Sequence, residues 1–295
     1  MNAKLSTRLW KWELPQIVLS AVLVFAVTLT AGCGSDNNPT NANGSLSDPA
    51  FVDIQPQVNT FLDSVFVAFS AGLGSYNEVP ITDGQIKKFY GPGIPGGTNQ
   101  STYEYTVDGW HHITLIVNNT SVVIGVNDSI QFKNGMTPQQ ASDSADALDY
   151  RHHWSVTQAD QTADFTNFSG DVGYIFSNLN TQNALINGSY GYNVAQRKID
   201  SAAVVTDDSF TFASAATNVS VSQPSGGIWG TGCPSGGSMS FSVEQVKIVT
   251  NGSTVDTTNI SWTGTASFTN GAATVSVTDG TTSWAYIVSV CSPAL

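Results

Sequence analysis

Charge is what this chain has least of. Only 11% of its 295 residues are Asp, Glu, Lys or Arg, against roughly 25% in an ordinary soluble domain. Ser, Thr, Asn and Gly fill the difference. The net charge is −12, so the Lys/Arg surface that neutralises phosphates is missing and nucleic acid is excluded as a partner. Cysteine is scarce as well: Cys33, Cys233 and Cys291 are all there is. Also absent are a nucleophile elbow, a phosphate loop, a His-Glu-x-x-His zinc helix and a dinucleotide fingerprint. No catalytic residue and no cofactor is therefore assigned, and the reading leans away from an enzyme. Aromatic residues are not scarce. At 10% they rule out a disordered polar tract.

The N-terminus is ordered basic, then apolar, then small. Lys4, Arg8 and Lys11 precede the apolar run from Ile17 to Thr30, and Ala31-Gly32 follow. That order is the pattern of a secretory signal over residues 1–32. The run is shorter than the about 20 apolar residues a spanning helix needs. Losing Lys4, Arg8, Lys11 and Glu13 with the leader takes the net charge from −12 to −14. The remaining chain is long enough for one large β-domain or two small ones.

Leu29-Thr30-Ala31-Gly32-Cys33 resembles the lipobox of bacterial lipoproteins. Thr30 stands where that family usually has Leu, with Leu29 one position further out. The resemblance implies cleavage before Cys33 and acylation of its thiol and new amino terminus, palmitate-type chains included. It implies a membrane-anchored protein of the bacterial cell envelope. Gly34, in place of Asp, points to the outer membrane. The resemblance covers the leader and its junction only.

Cysteine arithmetic agrees. Lipidation of Cys33 leaves Cys233 and Cys291, which an oxidising envelope can join. Residues 33–47, opening with Gly34-Ser35-Asp36-Asn37-Asn38-Pro39, read as a flexible tether. A β-rich domain over 48–295 follows, with Pro224-Ser225-Gly226-Gly227 marking a possible sub-boundary near 225–232.

One strong helix opens the domain. Val58, Phe61, Leu62, Val65, Phe66 and Phe69 fall at helical spacing, with Pro56 suited to the first turn and Gly72 to the stop. Its apolar stripe must lie on something, most simply one face of a sheet. The turn-rich stretch Tyr90–Gly97 ends this opening unit. From about Ser101 the reading is almost wholly β. Expected strands are Tyr103–Val107, His111–Val117, Ser121–Val126, Ile130–Lys133, Tyr150–Thr157 and Val172–Phe176. Ser189–Val194, Ala202–Thr206, Phe210–Ala213 and Asn218–Ser222 continue the series. Asn118-Asn119, Asn134-Gly135 and Asn187-Gly188 are read as turns, and Thr137–Leu148 as a loop or short helix. Ser238–Val249, Asn259–Phe268, Ala272–Val277 and Ser283–Val290 form a four-strand meander with tight turns at Asn270-Gly271 and Asp279-Gly280. Up-down-up-down order brings Cys233 and Cys291 to one end of the sheet, where a bridge is geometrically possible. Gly-x-x-x-aromatic recurs at Gly170/Tyr174, Gly188/Tyr192, Gly237/Phe241 and Gly264/Phe268. Two-residue periodicity puts each pair on one strand face, where a glycine lets the sheet bend or a neighbour's aromatic lie across it. The expected fold is a mainly β, antiparallel curved sheet or partly closed barrel, a meander with one N-terminal α-helix.

Three constellations invite a chemical reading. Trp110-His111-His112 and His152-His153-Trp154 hold all four histidines. If their strands were antiparallel neighbours, His112 would face His152 and imidazoles could hold zinc or copper. A meander instead pairs the first of these strands with Ser121–Val126, and no metal site is assigned. Asp143, Asp146 and Asp149 recur every third residue, without the spacing of a calcium loop. Trp229, Trp262 and Trp284 could form a glycan- or lipid-contacting platform, or belong to the core. The expected function is a non-catalytic, lipid-anchored envelope protein that binds an envelope protein or glycan or supports the envelope. The alternative is a carrier with a hydrophobic ligand in a helix-covered β cavity.

Overall fold

A computed structural model describes residues 42–76, 98–119, 121–158, 162, 164–223, 229 and 233–289. The expected signal peptide, the lipobox with Cys33, the loop Tyr90–Gly97, the stretch Pro224–Gly227 and Cys291 lie outside these residues. No helix among the described residues is long and apolar enough to cross a membrane.

The described chain folds as one helix, α1 (Pro49–Tyr76), followed by β1 (Thr98–Tyr105), β2 (His111–Asn118), β3 (Val122–Asn134), β4 (Thr137–Gln139) and β5 (Ala147–Gln158). Then come β6 (Phe165–Ser177), β7 (Asn183–Ile199), β8 (Val205–Ser222), β9 (Pro234–Asn251), β10 (Thr254–Thr269), β11 (Ala272–Thr278) and β12 (Ser283–Ser289). All belong to one antiparallel sheet whose order follows the chain; only β4 is off the path, paired with β3. The sheet runs from β1 to β12 without closing on itself. It is the expected mainly β meander with one N-terminal helix.

α1 is longer than its central stripe suggested. It begins at Pro49, where Asp48 caps it: the Ala50 amide donates to Asp48 Oδ1 at 3.0 Å, and Pro at the first helical position has no amide to leave unpaired. Phe51 and Ile54 extend the buried stripe towards that start. Pro56 therefore lies inside the helix, on its exposed side, where water can reach the carbonyl that loses its bond. Gly72 does not stop the helix. It sits against the rings of Phe176 and Tyr150, in space that a Cβ would overlap.

The helix crosses the inner face of the sheet. Phe51 packs on Trp284 and Tyr286 of β12, with ring centroids 5.9 and 5.3 Å apart. Phe61 stacks on Phe212 at 4.9 Å and on Tyr190 at 5.9 Å. Phe69 lies 4.9 Å from Tyr174. These rings are buried on both sides of the interface, and large aromatic burial of this kind dominates the stability of the layer. A separate apolar cluster on β2, β3 and β5 (Leu115, Val117, Ile124, Val126 and Val156) continues the inner face.

Two of the recurrent glycines lie under a neighbour's ring: a Cβ at Gly170 would overlap Trp154, and one at Gly264 would overlap Phe241. Two others mark irregularities. Gly188 has φ +137° and Gly237 φ +89°, next to register shifts between β7 and β8 and between β8 and β9. Asn187-Gly188 is thus a bulge within β7 and not a turn. Bulges bend a strand and increase local twist.

Before the helix, the Asn43 and Gly44 amides donate to the Ser283 carbonyl at 3.1 and 2.9 Å. Asn43 Oδ1 accepts from the Ser283 amide at 2.8 Å. The end of the expected tether is thereby bonded to the start of β12.

Candidate functional site

The histidines do not converge. β3 lies between β2 and β5, so His112 is registered with Ser129, while His152 is registered with Asp128. Alternation along β2 then places His111 on the inner face and His112 on the outer. His111 is buried and its Nδ1 lies 2.9 Å from the Tyr103 hydroxyl; burial holds its pKa below the usual imidazole range. His112 bonds Ser129 Oγ at 2.8 Å. Trp110 stacks beside His112 at 6.2 Å, and the Arg151 guanidinium covers the same indole at 4.6 Å.

On β5, each histidine takes an aspartate from a different neighbour. His152 Nδ1 bonds Asp128 Oδ1 of β3, on the inner face. His153 Nδ1 bonds Asp171 Oδ1 of β6 at 2.6 Å, on the exposed outer face. The Asp128–His152 pair is half-buried, with Tyr150 stacked against the imidazole at 6.0 Å. These aspartates are the partners that the sequence reading missed, and only the strand register identifies them. An Asp–His pair orients an imidazole for proton transfer. Here the four residues act across strands, tying β5 to β3 and β6. Among the described residues no three His, Cys, Asp or Glu side chains gather as a metal site.

The other candidates are dispersed. Asp143 is exposed in a short 3-10 turn at Ser142–Ser144. Asp146 Oδ1 accepts from the Gly135 amide at 3.0 Å and so closes the β3–β4 turn. Asp149 pairs with Lys133 at 3.4 Å and Arg151 at 3.7 Å. Trp229, Trp262 and Trp284 are all buried, so they are core residues and present no exposed platform. Trp229 Nε1 donates to the Leu179 carbonyl at 3.3 Å.

The described residues form surface depressions, two of which bear on function. The larger, about 560 Å³, is a broad trough on the outer face of β8–β11, lined by small side chains such as Ala213, Ala215, Ser240, Ser242, Thr263 and Thr265. The smaller is polar, where Gln196, Lys198, Asp208 and Lys247 meet near the far ends of β7–β9. Cys233 directly precedes β9, and the adjoining Pro234 carbonyl accepts from the Gly271 amide at 3.0 Å in the β10–β11 turn. Ala272 is registered with Ser289. The start of β9 and the end of β12 therefore lie at one end of the sheet.

No family model, curated protein or solved structure matches the chain.

Proposed function

We propose that the protein is a lipid-anchored component of the bacterial cell envelope, acylated at Cys33, with a binding or structural role and not a carrier's. The observation that carries this reading is the filling of the inner face. Phe51, Phe61 and Phe69 of α1 are pressed onto Trp284, Phe212 and Tyr174, where a carrier needs ligand-sized apolar volume. The larger of the two depressions lies on the opposite face and is lined mainly by Ala, Ser and Thr, with Gly264 and Phe241. The lipobox-like leader supports the anchor. Three acyl chains, as the resemblance implies, hold a protein stably where one is marginal. The outer membrane is the proposed location, and an envelope protein or glycan the proposed partner class.

A Cys233–Cys291 bridge belongs to the same reading, supported by the common sheet end. Closing a loop of that length is worth roughly 4 kcal/mol by chain entropy. The test of the anchor is fractionation of wild type and Cys33→Ala after expression in a bacterium. Wild type should enter the detergent phase and the variant the aqueous phase; identical partitioning of both into the aqueous phase overturns the reading.

A further inference from the structure

Two lysines without ion-pair partners meet in one pocket. Five Lys and Arg side chains lie among the described residues. Lys133 and Arg151 pair with Asp149, and Arg197 pairs with Asp207. Lys198 and Lys247 are the two with no carboxylate in ion-pair reach among the described residues. Both line the smaller depression, about 320 Å³ in volume. The strand register explains the meeting. Gln196 of β7 is paired with Asp208 of β8, and Asp208 with Lys247 of β9. Two residues further along β7, Lys198 is paired with Thr206. Alternation keeps these side chains on the inner face, just past buried Val194 and Phe210, where the apolar layer ends.

The carboxylates of the pocket are already engaged by neutral donors. Both oxygens of Asp208 accept from Gln245 Nε2, at 2.9 and 3.1 Å. Asp200 Oδ1 accepts from the amides of Ala202 and Val204 at 2.8 and 2.9 Å, which fixes the β7–β8 turn at the pocket's end. Across β8 the two lysine stems start roughly 12 Å apart, a gap that two flexible four-carbon chains can close on one anion. Val204 is the one apolar lining residue, so a fatty acid finds no wall to lie on. Two Lys and two Asp leave the pocket neutral, so an extended polyanion gains little from it. One acidic group flanked by hydroxyls satisfies both signs. The ammonium groups hold the charge, and Asp208 accepts from the hydroxyls.

We infer that this pocket binds one acidic sugar unit, its carboxylate or phosphate held between Lys198 and Lys247 and its hydroxyls by Asp208, Gln196 and Thr206. The inference rests on the binding role proposed above and narrows its partner class to an acidic glycan. The volume stands at the small end of the about 300–1,000 Å³ usual for ligand pockets, as one sugar unit requires. A single unit in a surface pocket is held weakly and is lost on extraction. Repeating units on the glycan and many anchored copies of the protein raise the avidity.

The test is titration of the full chain, purified from bacteria in a detergent without a sugar headgroup, with glucuronate, glucose 6-phosphate, glucose and inorganic phosphate. The same preparation is partitioned between detergent and aqueous phases. Glucuronate, glucose 6-phosphate or both should bind, and which of them binds identifies the acid group. Glucose and inorganic phosphate should bind at least about tenfold more weakly, since each offers half of the recognised chemistry. Lys198→Gln and Lys247→Gln should each weaken the acidic sugar by roughly tenfold or more. Lys133→Gln removes the same charge outside the pocket and should leave binding unchanged. A folded chain that binds neither acidic sugar overturns the inference, as does inorganic phosphate bound as tightly as glucose 6-phosphate. Equal loss in all three lysine variants overturns it too. So does lysine-dependent binding to phosphatidylglycerol vesicles by a chain that ignores the sugars. A detergent-phase chain that binds no sugar refutes the site and leaves the anchor standing. Sugar binding by a chain found in the aqueous phase upholds the site and refutes the anchor.

Discussion

Alkali should unfold this protein through its buried tyrosines. Tyr174, Tyr190, Tyr192 and Tyr286 lie against α1 or its aromatic neighbours on the inner face. Desolvation raises the pKa of each; Tyr190 is pushed up to about 12, and the other three rise as well. In the unfolded chain a tyrosine ionises near pH 10. Above that pH the unfolded state sheds protons that the folded state keeps, so stability is intact below pH 10 and is lost as the pH rises. At pH 11 each such tyrosine costs about 1.4 kcal/mol, and four cost about 6 kcal/mol. A typical domain has only about 5–15 kcal/mol to lose. The expected result is cooperative unfolding between about pH 11 and 12, read as tyrosinate absorbance rising together with loss of the β circular-dichroism signal. Tyr190→Phe should make the pH dependence shallower by about a quarter. If the tyrosinate signal is complete near pH 10 while the circular dichroism stays native, the four rings are not buried and the account of the core is wrong.

Acid acts through His111, whose burial lowers its pKa: the unfolded chain protonates first, so stability should fall as pH drops below about 6.5, and a pH series of urea midpoints for His111→Phe should lack that component. Phe61→Ala removes the ring stacked on Phe212 and Tyr190 and should cost about 3–5 kcal/mol by denaturant unfolding; a loss under 1 kcal/mol would mean that the helix is not seated as described. Gly264→Ala pushes a Cβ into the ring of Phe241 and close to the Ser276 carbonyl, so its melting temperature should drop, with Phe241→Ala partly suppressing the effect. Tyr174→Phe removes a fully buried hydroxyl that has no hydrogen-bond partner among the described residues, and should leave stability unchanged or raised.

Local chemistry made the meander legible. Asn270-Gly271 takes positive φ at both residues, +48° and +81°, as a two-residue hairpin turn requires. The helical spacing of Val58 to Phe69 identified the face that packs. Strand lengths were not legible. The polar interruption Asn127-Asp128-Ser129 read as a break between two short strands, but all three lie within β3, where Asn127 is registered with Thr114 and Asp128 with His152. In the same way Ala202–Thr206, Phe210–Ala213 and Asn218–Ser222 merge into β8 from Val205 onwards. A polar residue can stay in a strand when a cross-strand partner satisfies it, and spacing along one chain does not reveal the partner. The histidine clusters failed as a site for the same reason. Their separation is set by the intervening β3, not by the Trp-His-His pattern. The three tryptophans went to the core because helix and sheet together need large side chains to fill the layer.

The most direct test of the account is native mass spectrometry of the full-length product extracted from membranes. The account predicts one species beginning at Cys33, heavier by its acyl chains, lighter by the two hydrogens of a Cys233–Cys291 bridge, and free of any stoichiometric ligand. An unacylated chain, or a hydrophobic molecule bound one to one, would contradict it.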